Sequence, residues 1–173
     1  MDEPQLSLTE YAVLGLLAEG PAHGFAISRQ LAPSGEVGRI ITVRRPLVYR
    51  ALARLVSAGL ADSGHTEPGE AGPQRTIHRT TARGRNWLRR WLAEPVGHVR
   101  DLRLEFLLKL ILIERSGESP LDLVRAQQLA LEPTLSALEA EQPAIDHVEL
   151  WRRHNAAAAA TYLGHLEKRY SAS

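Results

Sequence analysis

The stretch Thr42-Val43-Arg44-Arg45-Pro46-Leu47-Val48-Tyr49-Arg50-Ala51-Leu52-Ala53-Arg54-Leu55-Val56-Ser57-Ala58-Gly59 decides how this chain is read. Val48, Leu52 and Leu55 recur at i, i+4 and i+7, the spacing that lines one face of an α-helix. Gly59 follows as a natural C′ residue, because glycine accepts the left-handed backbone on which helices end. The periodic stretch begins near Thr42, but Pro46 is tolerated only in a first turn, so the helix proper starts at about Arg45. On a 100° wheel Leu47, Arg50, Arg54 and Ser57 point away from the apolar stripe, and Tyr49 lies at the edge of that outer face. One face is built for a core, and the other carries two arginines into solvent.

Upstream, Ser7-Leu8-Thr9-Glu10 has the form of a capping box, with Leu6 and Tyr11 placed as a hydrophobic staple. A helix is predicted from Leu8 through Val13, Leu14, Leu16 and Leu17, ending at Gly20-Pro21. A short helix from about His23 to Leu31 follows, with Phe25, Ile27 and Leu31 apolar, and breaks at Pro33-Ser34-Gly35. His23, at that helix start, reads as a capping group and not as a catalytic base. Downstream, Leu60 to Ser63, a Gly/Pro/Glu stretch from Gly64 to Pro73 and the alternating run Gln74 to Arg79 predict two short strands in a hairpin. A fourth helix starts at Thr80 or Thr81, carries Trp87, Leu88, Trp91 and Leu92, and ends before Pro95.

Three helices, a hairpin and a fourth helix are the parts of a winged helix-turn-helix, whose third helix enters the major groove while the hairpin follows the phosphates. A row of arginines on a helix is ordinarily a solvated face. Here the charge argues further. The chain has a formal net charge of only +1, yet from Arg29 to Arg90 twelve arginines stand against four acids, Glu36, Asp62, Glu67 and Glu70. Residues 96–173 balance nine Lys or Arg against eleven acids. Nineteen of the twenty-one basic residues are Arg, whose planar fork suits phosphate and guanine. DNA contacts are therefore expected from Arg44, Arg45, Leu47, Tyr49, Arg50 and Arg54 on the third helix and from Arg75 and Arg79 in the wing.

Leu8-Thr9-Glu10-Tyr11-Ala12-Val13-Leu14-Gly15-Leu16-Leu17, followed by Gly20-Pro21-Ala22-His23-Gly24-Phe25-Ala26-Ile27, resembles the opening of the PadR family of bacterial transcriptional regulators. Val48-Tyr49-Arg50-Ala51-Leu52-Ala53-Arg54-Leu55 with Gly59-Leu60 resembles that family's recognition helix. Gly72-Pro73-Gln74-Arg75, then Arg79, Thr81, Gly84 and Trp91-Leu92, resembles its wing and fourth helix. The resemblance covers about residues 6–93, and residues 100–173 match the larger subfamily only in length and helical character. Phe25 stands where the family commonly has tyrosine, and Ile77-His78 where it often has two.

Beyond a hinge at Pro95-Val96-Gly97, the sequence predicts a helix from about Val99 to Arg115, apolar on most sides and closed by Gly117. Ser119 as N-cap and Pro120 at N1 open the next. In it Leu121, Val124, Gln128, Leu131, Leu135, Leu138 and Gln142 form a heptad seam, with a kink at Pro133. A last helix from about Ala144 to Tyr170 contains the small residues Ala156 to Ala160, which permit close helix approach, flanked by Trp151 and Tyr162. The expected fold is mainly α with a small β-hairpin: a winged helix-turn-helix DNA-binding domain over 1–95, then an all-α dimerisation domain over 96–173.

The same sequence excludes much. With 173 residues and no cysteine, the chain has neither a disulfide framework nor a thiolate metal site. Its longest strongly apolar stretch, Phe106 to Ile113, is interrupted by Lys109 and is far short of the roughly 20 residues of a spanning helix. No basic region precedes an apolar core at the N-terminus, so a cytoplasmic location is expected. Gly-x-Ser-x-Gly, a phosphate-cradling glycine loop and His-Glu-x-x-His are all missing, so neither an enzyme nor a cofactor is expected. His147, His154 and His165 share a helix face at spacings too long to surround one ion, and no metal is expected. Trp87, Trp91 and Trp151 are either core or interface residues or the lining of an aromatic pocket for a small effector.

These readings converge on a DNA-binding transcriptional regulator: a homodimeric repressor on a pseudo-palindromic operator, released by a small aromatic or apolar effector. The alternative is a helical protein–protein adaptor that docks an acidic partner on its arginine face. Salt dependence separates the two, because only phosphate contacts give a steep log–log slope.

Overall fold

The computed structural model describes residues 4–69, 72–140 and 146–172. The chain divides into two compact units, Met1–Trp91 and Leu92–Ser173. In the first, helix α1 (Leu8–Glu19) opens on the capping box: the Ser7 hydroxyl accepts from the Glu10 N–H at 3.3 Å, and the Glu10 carboxylate accepts from the Ser7 N–H at 2.6 Å. Every residue from Ala12 to Leu17 is buried, so α1 is the central rod of the unit.

Strand β1 (Ala22–His23) and helix α2 (Gly24–Gln30) follow, then a 3₁₀ turn at Val37–Arg39, helix α3 (Arg45–Ser57), strands β2 (Ala61–Gly69) and β3 (Gly72–Thr80), and helix α4 (Ala82–Ala93). The expected hairpin is a three-stranded antiparallel sheet of order β1-β3-β2, with Ala22 opposite His78 and His23 opposite Ile77. Two residues are too few to show the alternation that marks a strand, and β1 exists because the free edge of β3 pairs with it. Glu70 and Ala71, in the expected turn, lie outside the described residues.

Helix α3 buries Val48, Ala51, Leu52 and Leu55. Its end is a Schellman motif: Gly59, at φ +68°, donates to the Val56 carbonyl at 3.0 Å, and Leu60 donates to Leu55 at 2.9 Å. The Thr81 hydroxyl accepts from the Gly84 N–H and donates to the Gly59 carbonyl, both at 2.9 Å, so the start of α4 is fastened to the end of α3.

In the second unit, the predicted helix from Val99 to Arg115 is two elements: a 3₁₀ turn over Val99–Arg103 and helix α5 (Glu105–Arg115), separated at Leu104 with φ −113° and ψ −64°. Helix α6 (Leu121–Ala140) contains Pro133, and its first turn follows the Ser119 hydroxyl, which accepts from the Leu121 N–H at 3.4 Å. Pro120 thus precedes the helix instead of forming its first residue. Helix α7 (His147–Ser171) is capped by Asp146, which accepts from Val148 and Glu149 at 2.9 and 2.8 Å. The earlier start expected at Ala144 and the seam position Gln142 lie outside the described residues.

The heptad seam is corrected in two ways. Val124 and Leu131 are buried, but they pack within the chain, in a core with Phe106, Leu110, Ile113 and Leu163. The buried polar position is Gln127 and not Gln128: its side-chain amide accepts from the Val96 N–H and donates to the Val96 carbonyl, both at 2.8 Å. Gln128 instead donates to Glu167 of α7 at 3.1 Å. Of the alanine run, Ala156 and Ala159 are buried, while Ala157 and Ala158 are exposed. Lys109, also buried, pairs with Glu105 at 2.9 Å and donates to the Glu94 carbonyl at 2.6 Å. No described helix is long and apolar enough to cross a membrane.

Candidate nucleic-acid interface

The N-terminus of α3 is unusual electrostatically. A helix start carries partial positive charge and favours acidic residues. Here Arg44 is the N-cap residue, its side chain makes no capping bond, Arg45 comes next, and no acid lies in the first turn. Cations have collected where the backbone already attracts an anion.

Behind this end lies α2. The His23 side chain caps it, with Nδ1 accepting from the Ala26 N–H at 3.1 Å. Gly24 lets α2 close on α3, since a Cβ there would stand 2.8 Å from Cε1 of Tyr49. The Tyr49 ring is thereby set beside Phe25, and the Arg45 guanidinium lies 5.2 Å from the Phe25 ring centroid and 5.7 Å from that of Tyr49. Two aromatic faces thus hold one cation at the helix start.

Along the outer surface of α3, Leu47, Tyr49, Arg50, Ala53, Arg54 and Ser57 are exposed. Arg54, itself exposed, reaches the largely buried carboxylate of Glu10 of α1 at 4.0 Å, a loose contact that restrains it weakly. Ala53 and Phe25 were not among the DNA contacts expected from the sequence. Ala53 carries no charge to mark it, and the exposure of Phe25 follows from the docking of α2, which helical spacing alone does not reveal.

A groove of about 770 Å³ separates this surface from the sheet, lined by Phe25, Arg45, Tyr49, Ala53, Arg75 and His78 among others. Arg75 and Arg79 are exposed on β3. Arg79 faces Asp62 across the sheet, with Nε 3.9 Å from its carboxylate. Among the described residues His78 Nδ1 is buried without a hydrogen-bond partner, and burial holds the imidazole below its ordinary pKa.

The sequence profile of the "Transcriptional regulator PadR-like family" matches residues 13–90, the span that contains α2, α3 and the sheet. The chain carries a PadR-like transcriptional-regulator domain. Among solved structures, a crystal structure of Bacillus subtilis PadR in complex with operator DNA matches with 22% identity and a TM-score of 0.48, covering 94% of this chain and 96% of that one. Comparison with curated proteins returns no match.

The three tryptophans fall in both units. In the PadR-like unit, Trp91 is buried and stacks on Tyr11 with ring centroids 4.1 Å apart, while Trp87 Nε1 donates to the Tyr11 hydroxyl at 3.3 Å. Trp91 is therefore a packing residue. Trp151 belongs to the other unit, where it is 70% exposed and lines a cavity of about 810 Å³ with His98, Arg100, Arg103, Arg152 and Asn155. Among the described residues no three His, Asp or Glu side chains converge as metal ligands.

Proposed function

We propose that this PadR-like protein is a DNA-binding repressor that acts as a homodimer, with α3 in the major groove and β2–β3 as the wing. The observation that carries the reading is the start of α3, where Arg44 and Arg45 crowd a helix N-terminus whose first turn holds no acid. A DNA phosphate relieves that conflict. Arg50 is the base-reading candidate on the outer face, joined by Arg54 and by Tyr49 at its edge. Arg75 and Arg79 are the wing's phosphate contacts. A dimer is favoured because one recognition helix makes too few contacts for nanomolar binding, and two linked half-sites supply the rest through effective concentration.

The cavity at Trp151 supports a small effector, since an exposed indole beside Arg100, Arg103 and Arg152 suits a planar aromatic molecule. The deciding experiment titrates the full chain onto duplex DNA, selected from a randomised pool, at several salt concentrations. A steep negative log–log slope supports the reading. Negligible affinity at low salt, with an acidic protein partner bound instead, sinks it.

A further inference from the structure

Among the described residues of the unit Met1–Trp91, the exposed large hydrophobic side chains are Phe25, Leu47 and Tyr49. All three sit at the N-terminal ends of α2 and α3. Phe25 and Tyr49 are engaged locally, since both rings flank Arg45 and the Tyr49 ring also packs over Gly24. Leu47 is not one of the side chains that flank Arg45. It is the third residue of α3, 47% exposed, and it lies one turn before Arg50 on the same face.

An exposed leucine amid guanidinium groups gives up the free energy its burial would bring. On a surface that meets DNA, the apolar group able to cover it is the C5 methyl of thymine, which projects into the major groove. The first residues of a recognition helix are also the ones that reach base edges.

We infer that Leu47 is a specificity-determining residue that packs on a thymine C5 methyl in each operator half-site. The inference rests on the DNA-binding reading above and adds what that reading leaves open: apolar recognition of one base at a named position. Contact with Leu47 excludes water from the methyl and favours thymine over cytosine, which has no methyl there. Deoxyuridine pairs as thymine does but lacks the methyl, so it isolates this contact from hydrogen bonding.

The test uses the full chain and a duplex selected by it from a randomised pool, with each thymine replaced singly by deoxyuridine. One position per half-site should lose about fourfold in affinity, the value of one buried methyl, and about fifteenfold when both half-sites are substituted. In Leu47→Ala, folded by circular dichroism, that loss should vanish, and in Leu47→Met it should persist. Tight binding that is indifferent to deoxyuridine at every position, or a loss undiminished in Leu47→Ala, overturns the inference while leaving DNA binding intact. Enrichment of no duplex overturns the DNA-binding reading itself, and the inference with it.

Discussion

A side chain at Gly24 must displace a neighbour, because a Cβ would meet Cε1 and Cζ of Tyr49 at 2.8 and 2.9 Å and Cδ1 of Leu52 at 3.2 Å. Gly24→Ala must push the Tyr49 ring outward, and Arg45 loses one of its two aromatic faces. Overpacking of this kind costs about 1–3 kcal/mol, so urea unfolding should show reduced stability and DNA binding should weaken. On the outer face, Arg50→Ala should weaken operator binding by about 1–3 kcal/mol if the side chain reads a base, and by less if it holds a phosphate. Arg54→Ala should weaken binding as well, because its 4.0 Å contact with Glu10 is too loose to withhold the cation from DNA. Equal affinity of both variants with wild type, measured by fluorescence anisotropy, would remove α3 from the interface.

His78 gives a pH prediction of fixed sign. Burial lowers its folded pKa below the ordinary 6.5, so as pH falls the unfolded chain takes up the proton first. The stability that neutral His78 contributes is complete above 6.5 and is lost as pH falls through the folded value. Unfolding midpoints compared at about pH 8 and about pH 5 should differ more in the wild type than in His78→Gln. An unchanged difference would show that the imidazole takes up its proton in the fold as readily as in solution.

At the scale of elements, neutralising Arg75 and Arg79 together should weaken specific and nonspecific DNA alike and make the salt slope shallower by up to about two units. The exposed ion pair of Arg79 with Asp62 is too weak to withhold that cation from a phosphate. A changed sequence preference at constant slope would contradict a backbone role. Elements whose ends are written locally were legible in the sequence: Ser7 and Glu10 open α1, and Gly59 closes α3 with the positive φ that glycine allows. Elements defined by a distant partner were not. Strand β1 depends on Ile77 and His78, more than fifty residues away, and Gln127 outranks Gln128 because the buried backbone of Val96 needs a donor and an acceptor. At the candidate site the wheel already exposes Leu47, Arg50 and Arg54. It is silent about Phe25, whose position follows from the approach of α2 to Tyr49.

For the whole molecule, the proposed dimer cannot rest on the buried positions of the heptad seam and must use the surface that remains. Val124 and Leu131 are spent on the core of their own unit, so they offer a second copy nothing. Exposed apolar surface in that unit lies instead at Leu129, 77% exposed, and along the start of α7 at Val148, Leu150 and Trp151. Neighbouring apolar side chains exposed on one helix, as at Val148 and Trp151, mark an interaction surface more often than a solvated one, and a closed two-fold interface is the commonest use of such a surface. The full chain should therefore sediment as a dimer at micromolar concentration. Leu129→Asp and Trp151→Asp, each of which alters an exposed position and leaves the core of Phe106, Leu110 and Leu163 untouched, should shift it towards monomer without loss of helical content. Truncation after Pro95 should leave a folded, largely monomeric fragment whose DNA binding is weak, because each half-site then binds alone and the gain from linkage is gone. Sedimentation of the full chain as a monomer, or full operator affinity in the truncated fragment, would refute the dimer.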